Sequence, residues 1–184
     1  MEDKEYLEKF KSQAIEILLK QSKDLALSGT TLLESEDINE LWDKCAADYM
    51  ADAVKEFNTY PEVSLAWAAY LGIAAAYAWD GDWRKYKNIS NFYKEICSKR
   101  GFDEMDEFVI EEIMGYKLKS YDHIKTENGM RSLASCVLNL MKKESPENMT
   151  NRAFHIFAAA SSAMFKIGAN IALYQLGYKL TKLN

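Results

Sequence analysis

Five polar residues recur along one face of the last strongly helical stretch and could line a wet cleft. At about 100° per residue they share a single face, formed by Asn151, His155, Ser162, Lys166 and Asn170. There the imidazole of His155 could act as acid or base near neutral pH, and the ammonium of Lys166 could hold an anion. A solvated helix face is the simpler interpretation and the favoured one.

A second group of chemically capable residues lies where the third predicted helix ends, in the segment Trp79-Asp80-Gly81-Asp82-Trp83. Two indole faces and a carboxylate could bind a ring or a cation. Turn chemistry accounts for the same residues, because Gly81 tolerates a positive φ and Asp82 is a good N-cap. The turn interpretation is favoured.

A third group is an acidic row on the second predicted helix, formed by Glu40, Asp48, Asp52 and Glu56 with Lys44 among them. Like charges four residues apart repel one another, so the row suggests a cationic partner, either the Arg84-Lys85 pair or another chain. A solvated acidic face is again favoured.

Motifs for cofactors and metals are missing from the sequence. It has no phosphate-binding glycine loop, no dinucleotide fingerprint and no nucleophile elbow. The two histidines, His123 and His155, belong to no zinc or di-iron motif, and Cys45, Cys97 and Cys136 are too far apart for a metal knuckle. We therefore predict no cofactor, no metal, and reduced, buried cysteines, and we assign no catalytic residue.

Composition sets the class of protein. The chain has 184 residues, 48% of them apolar, with 8 Gly and 2 Pro, which predicts a single globular domain over residues 1–184. The net charge of −5 disfavours nucleic acid as a partner. The acidic start, Met1 to Glu5, is unlike a secretory signal, so we expect a cytoplasmic protein. The uncharged run from Val63 to Trp79 is short for a membrane span and predicts a buried helix.

Periodicity of 3.6 residues dominates and predicts an all-α bundle of about seven helices. The third and seventh helices are expected at the centre, because both carry small residues that allow close approach, such as Gly72 and Gly168. A duplicated half is the less favoured explanation of that likeness. Loops are expected at 28–30, 80–82 and 127–129, and a bend is allowed at Gly168. The predicted helices span residues 3–27, 31/37–57, 61–79, 83–100 with a break allowed near 88–91, 103–121/123, 130–143, and from the start signal Ser145-Pro146-Glu147 to about 177.

Several segments spread over most of the chain look like a bacterial all-helical family of uncharacterised proteins. The resemblance rests on Trp42-Asp43-Lys44-Cys45, the Trp79 to Trp83 turn, Gly101-Phe102-Asp103, Phe154-His155-Ile156-Phe157 and Leu176-Gly177-Tyr178-Lys179. It implies a helical fold and no particular activity.

These observations favour a non-enzymatic interaction or small-molecule-binding module whose partner is a protein or a small molecule, with no membrane or nucleic acid. A homodimer is compatible with the 23 aromatic residues. The alternative is an enzyme or ligand sensor with a cleft between the third and seventh helices. The predicted ligand-binding residues are Trp67, Tyr70, Tyr77, Trp79, Asp80, His155, Ser162, Lys166 and Asn170.

Overall fold

Helix accounts for most of the chain, 79% in the computed structural model. The structure describes residues 2–144, 147 and 150–179, and the backbone of 182–183. In this part of the chain the all-α prediction is confirmed, with seven α-helices and one π-helical segment. The elements are α1 (Glu2–Asp24), β1 (Glu34–Ser35), α2 (Glu36–Phe57), α3 (Pro61–Tyr86), α4 (Phe92–Arg100), α5 (Met105–Phe108), a π-helix (Val109–Ile113), α6 (Tyr121–Glu144), α7 (Asn151–Gln175) and β2 (Lys182–Leu183).

The two central helices meet backbone to backbone, as their small residues predict. A Cβ built on Gly72 of α3 would lie 2.0 Å from the carbonyl oxygen of Phe165 in α7. A Cβ on Gly168 would lie equally close, 2.0 Å, to the carbonyl oxygen of Ala69. The α3–α7 pair is also the most extensive contact between elements. α7 continues through Gly168 without a non-helical residue.

The connection between α1 and α2 differs from the prediction. α1 ends at Asp24, and the backbone turns through Ala26 at φ 55°, which brings Leu27 into the core. β1 pairs in parallel with β2, Glu34 opposite Lys182 and Ser35 opposite Leu183. α2 begins at Glu36, inside the predicted range of 31 to 37, and ends at the predicted Phe57.

Asp82 interrupts α3 in the predicted place. Its backbone is non-helical (φ −145°, ψ 69°), and its carboxylate accepts a hydrogen bond from the Lys85 backbone N–H at 3.3 Å. Asp82 thus caps the short helical turn that follows, as predicted, although α3 stays helical through Asp80 and Gly81, beyond the predicted helix end at Trp79. The break near 88–91 is confirmed, because Asn91 caps α4 by accepting from the Lys94 N–H at 3.0 Å.

The predicted fifth helix and the loop at 127–129 are wrong. Helix α5 is one turn long, the π-helix follows it, and the chain leaves helix at Gly115 with φ 74°. Residues 127–129 lie inside α6. Gly129 does not form a turn there but leaves room for the side chain of a neighbouring residue. A Cβ there would lie 2.6 Å from a methyl carbon of Leu27.

Helix α7 begins at Asn151, capped by the Thr150 hydroxyl, which accepts from the Ala153 N–H at 3.0 Å. Of the predicted start signal, Ser145 and Pro146 lie outside the described residues. α7 is also the one described helix long and apolar enough to cross a membrane, but 83% of its apolar window is buried inside the fold. Core helices of soluble proteins pass the same test, so α7 is weak evidence for a span.

Candidate functional site

The polar stripe of α7 is tied to the segment before α2. The Asn170 side-chain oxygen accepts the Leu33 backbone N–H at 2.7 Å, and the Lys166 ammonium lies 3.1 Å from the Glu34 carboxylate. Asn170 is fully buried and Ser162 nearly so, whereas His155 is exposed beside the ring of Phe154. Lys166 and Asn170 therefore hold the chain around β1 against the bundle, while Asn151 and His155 are exposed, as the favoured interpretation of a solvated face expects.

Trp79 and Asp80, which lie in the C-terminal part of α3, have hydrogen-bond partners in other parts of the fold. The Trp79 indole donates to Asp37 at 3.2 Å, and the hydroxyl of Tyr178 donates to Asp80 at 2.6 Å. The rings of Trp79 and Tyr178 meet edge to face at 5.3 Å. These contacts fasten the chain after α7 to α2 and α3. Tyr77 is half-buried, and burial raises the pKa of its hydroxyl.

The cleft predicted between the third and seventh helices does not form at their crossing. The contacts at Gly72 and Gly168 leave no room there for a ligand. Moreover, Lys166 and Asn170 contact β1 and the chain before it, while Trp67 and Tyr70 lie beside α6. The nine predicted residues thus fall into separate groups, one of which, Trp67 and Tyr70, shares a cavity.

That cavity lies between α3, α5 and α6 and has a volume of about 110 Å³. We call it the α3–α6 cavity. The rings of Trp67 and Tyr70 form a perpendicular corner, with centroids 5.6 Å apart and an angle of 90°. The Trp67 indole N–H donates to the Phe102 carbonyl at 2.5 Å, which fixes the ring. The lining residues are Glu62, Val63, Ala66, Trp67, Tyr70, Asp106, Glu127, Met130 and Arg131.

Asp106 is the most perturbed carboxyl group of the described residues. Its pKa is raised from 3.8 to about 6, mainly by burial; the charges of Glu107 and Glu127 contribute to this rise, and the backbone N–H groups of Glu107 and of Asp106 itself oppose it. A carboxyl group that titrates near pH 6 inside a cavity is typical of functional sites.

The π-helix follows the turn that carries Asp106. Arg100, at the end of α4, binds Glu111 at 2.6 Å and Glu112 at 3.1 Å, and these ion pairs fasten the wide turn. Single π-helical turns occur often at functional sites. The turn therefore adds to the case for the α3–α6 cavity.

Four charged residues of the cavity were missed by the sequence analysis: Glu62, Asp106, Glu127 and Arg131. Glu127 was assigned to a loop, which concealed its i,i+4 ion pair with Arg131 at 3.0 Å. The i,i+4 spacing of these two opposite charges was the sequence signal that could have placed both residues on a helix. Nothing in the sequence indicates that Asp106 lies against α3 and α6.

Asp48 and Asp52 of the acidic row find partners at α4 rather than in Arg84-Lys85, whereas Glu40 pairs with Lys44 on α2 itself. Asp48 accepts a short hydrogen bond from Asn91 and lies 3.6 Å from the Lys94 ammonium. Asp52 accepts from the Tyr93 hydroxyl at 2.6 Å, and burial raises the pKa of that hydroxyl. These contacts place Asp48 and Asp52 at the α2–α4 contact.

The three cysteines are free thiols, buried at Cys45 and half-buried at Cys97 and Cys136. Burial raises the pKa of Cys45 to about 11, so this thiol is a poor nucleophile at neutral pH. Within the described ranges, no group of three or more His, Cys, Asp and Glu side chains is placed to hold a metal ion.

A second concave region lies where α2 ends and α7 begins, and we call it the Phe154 groove. The rings of Phe57 and Phe157 are 4.4 Å apart at its floor, and Phe154 is 45% exposed beside them. The groove has a volume of about 330 Å³ and is mostly apolar. An exposed apolar groove of this kind is typical of interaction surfaces.

No protein-family model matches the chain, and comparison with curated proteins and with solved structures gives no match. The resemblance to a bacterial helical family therefore stays a prediction.

Proposed function

We propose that this protein is a non-enzymatic cytoplasmic module that binds a small molecule in the α3–α6 cavity. One observation carries the proposal: a fixed aromatic corner and a carboxyl group of raised pKa line the same cavity. No Ser, Thr, Cys, Lys or His is among the residues that line the cavity, which favours binding over covalent catalysis by an activated hydroxyl, thiol or amine.

Native mass spectrometry of protein purified gently from its host tests this proposal. We expect a small, persistent extra mass on the chain. Ala66 lines the cavity and is 5% exposed, so Ala66→Met should fill the cavity and remove that mass. Ala51→Met is the matched control, because Ala51 lies on an exposed surface of α2 outside the cavity.

A ligand that stays bound to Ala66→Met and to the wild type alike would contradict the assignment of the site. A chain without any extra mass, in repeated preparations from the host, would contradict the proposed function.

The Phe154 groove supports a second candidate, self-association of two copies. Its exposed Phe154 and the aromatic pair beneath it offer the apolar surface that dimer interfaces bury. Sedimentation velocity over a range of concentrations should show a dimer that Phe154→Asp dissociates. Tyr121→Asp is the control, because Tyr121 is 78% exposed at the far end of α6. A wild-type monomer at every concentration would contradict this candidate.

A further inference from the structure

The charges of the α3–α6 cavity are unbalanced. Three carboxylates line it, Glu62 from α3, Asp106 from α5 and Glu127 from α6, against the single guanidinium of Arg131. Arg131 is already paired with Glu127 at 3.0 Å. In the described part of the chain, Glu62 and Asp106 form no ion pair. The charges that line the cavity therefore favour a positively charged ligand.

Tyr70 presents a hydroxyl to the same cavity. Its side chain is only 1% exposed, and its hydroxyl forms no hydrogen bond with the described residues, but the oxygen is not one of the fully enclosed polar atoms without a partner. The charges acting on that hydroxyl are those of Asp106, Glu127 and Arg131, which line the same cavity. Burial raises the pKa of Tyr70, so the hydroxyl stays neutral. A ligand or a water molecule in the cavity is therefore the available hydrogen-bond partner of this hydroxyl.

The aromatic corner suits a cation as well. The quadrupole of an indole or phenol ring attracts a positive charge that lies within about 6 Å of its face. Trp67, the better of the two ring types for this contact, is fixed by its hydrogen bond to Phe102. Rigid rings cost little entropy when a ligand binds.

The volume of the cavity limits the size of the bound group. A cavity of about 110 Å³ holds more than one water and is of a size suited to a compact group such as an alkylammonium or alkylguanidinium head. Arg131 is exposed, so the tail of a longer ligand could leave the cavity along its side.

We infer that the α3–α6 cavity binds a compact organic cation, a free alkylamine or alkylguanidine, through Tyr70, Trp67 and the carboxylates of Asp106 and Glu62. This inference rests on the proposed function and names its ligand class. The Tyr70 hydroxyl oxygen accepts an N–H of the ligand, and the two carboxylates balance its charge.

Titration with n-propylammonium, n-propylguanidinium and neutral n-propanol, followed by the tryptophan indole signals in ¹H–¹⁵N NMR at pH 7.5, tests the inference. We expect both cations to shift the Trp67 signal, and propanol to bind at least about tenfold more weakly. Asp106→Asn should weaken cation binding by about tenfold or more, and Tyr70→Phe should weaken it less. Asp103→Asn is the control, since Asp103 is an exposed carboxylate outside the cavity.

The pH dependence gives a second readout. The titratable and charged groups that line the cavity with Asp106 are Glu127 and Arg131 of α6 and Glu62 and Tyr70 of α3, and Glu107 lies beside Asp106 on its own turn. Its pKa of about 6 means that it is mostly protonated at pH 5 and ionised at pH 7.5. Cation binding should therefore tighten between these pH values, and Asp106→Asn should lose most of that change.

The possible results distinguish the failure of the cation inference from the failure of the proposed function. Equal binding of propanol and the cations, or unchanged cation binding in Asp106→Asn, would overturn the cation inference. If no cation binds while the host protein carries a ligand that Ala66→Met removes, the inference fails and the proposed function stands. If neither a cation nor a host ligand binds, both fail.

Discussion

Replacing Gly72 by alanine tests the closeness of the α3–α7 crossing, on which the arrangement of the bundle depends. The added Cβ would lie 2.0 Å from the Phe165 carbonyl oxygen and 2.9 Å from the Ala169 nitrogen. Real Cβ contacts are essentially never shorter than 3.0 Å, so the helices must separate locally by about 1 Å. Backbone atoms cannot rotate out of the way as a flexible side chain can.

The expected loss of stability follows from that overlap. Overpacking a closely packed core costs roughly 1–3 kcal/mol, and an overlap with backbone belongs near the upper end. Alanine recovers about 0.5–1 kcal/mol through its higher helix propensity. The free energy of unfolding should therefore fall by about 2 kcal/mol. With a urea m-value of about 2 kcal/mol/M, the unfolding midpoint should fall by about 1 M.

Urea unfolding followed by circular dichroism measures this loss. Gly81→Ala is the matched control on α3, because a Cβ there meets nothing within 4 Å. It should be neutral or stabilising by up to about 1 kcal/mol. Gly168→Ala should cost as much as Gly72→Ala, and the double variant should cost less than their sum, since one separation accommodates both methyl groups. Equal midpoints for Gly72→Ala and Gly81→Ala would refute the close crossing.

Three further predictions concern single side chains. Because folding raises the pKa of Asp106 from 3.8 to about 6, the folded chain binds that proton more tightly, and stability falls as pH rises from about 4 to 6. Asp106→Asn should remove this loss of stability. Its free energy of unfolding should exceed that of the wild type by about 1 kcal/mol at pH 7.5, a value reduced for the partial exposure of Asp106, and should equal it at pH 4. A urea midpoint equal to that of the wild type at pH 7.5 would contradict this prediction. Asn170→Leu removes the acceptor for the buried Leu33 N–H and should cost about 1–3 kcal/mol in urea unfolding; an unchanged midpoint would show that the contact is dispensable. His155→Ala, at an exposed position, should change stability by no more than about 0.5 kcal/mol, and a larger loss in thermal melts would reveal a structural role.

The sequence predicts the helical class and the central pair well because both depend on local patterns. Apolar periodicity marks a helix wherever one face is buried, and small residues at Gly72 and Gly168 mark a close crossing. A glycine in the sequence, however, can indicate either a turn or a close contact between elements. Glu127-Asn128-Gly129 has the composition of a loop, but Gly129 accommodates Leu27 from a distant part of the chain. These two roles of glycine are distinguished only by the residue that packs against it in the folded chain.

The candidate site was predictable only in part, for the same reason. Trp67 and Tyr70 were identified as ligand-binding residues from their types, and the structure places both in the α3–α6 cavity. Asp106 lies on a one-turn helix before a π-helix, a backbone form without a periodic signature. The polar stripe of α7 looked like a cleft because its partner, the chain around β1, is far away in the sequence.

The most direct test of ligand binding in the α3–α6 cavity uses the small-molecule fraction of the host cell. Added to ¹⁵N-labelled protein, this fraction should shift the indole signal of Trp67 and leave that of Trp42, which packs on Phe165 in the core, unchanged. Ala66→Met should abolish the shift, and Ala51→Met should preserve it. A Trp67 signal that does not move, or that moves equally in Ala66→Met, would contradict the assignment of this cavity as the binding site.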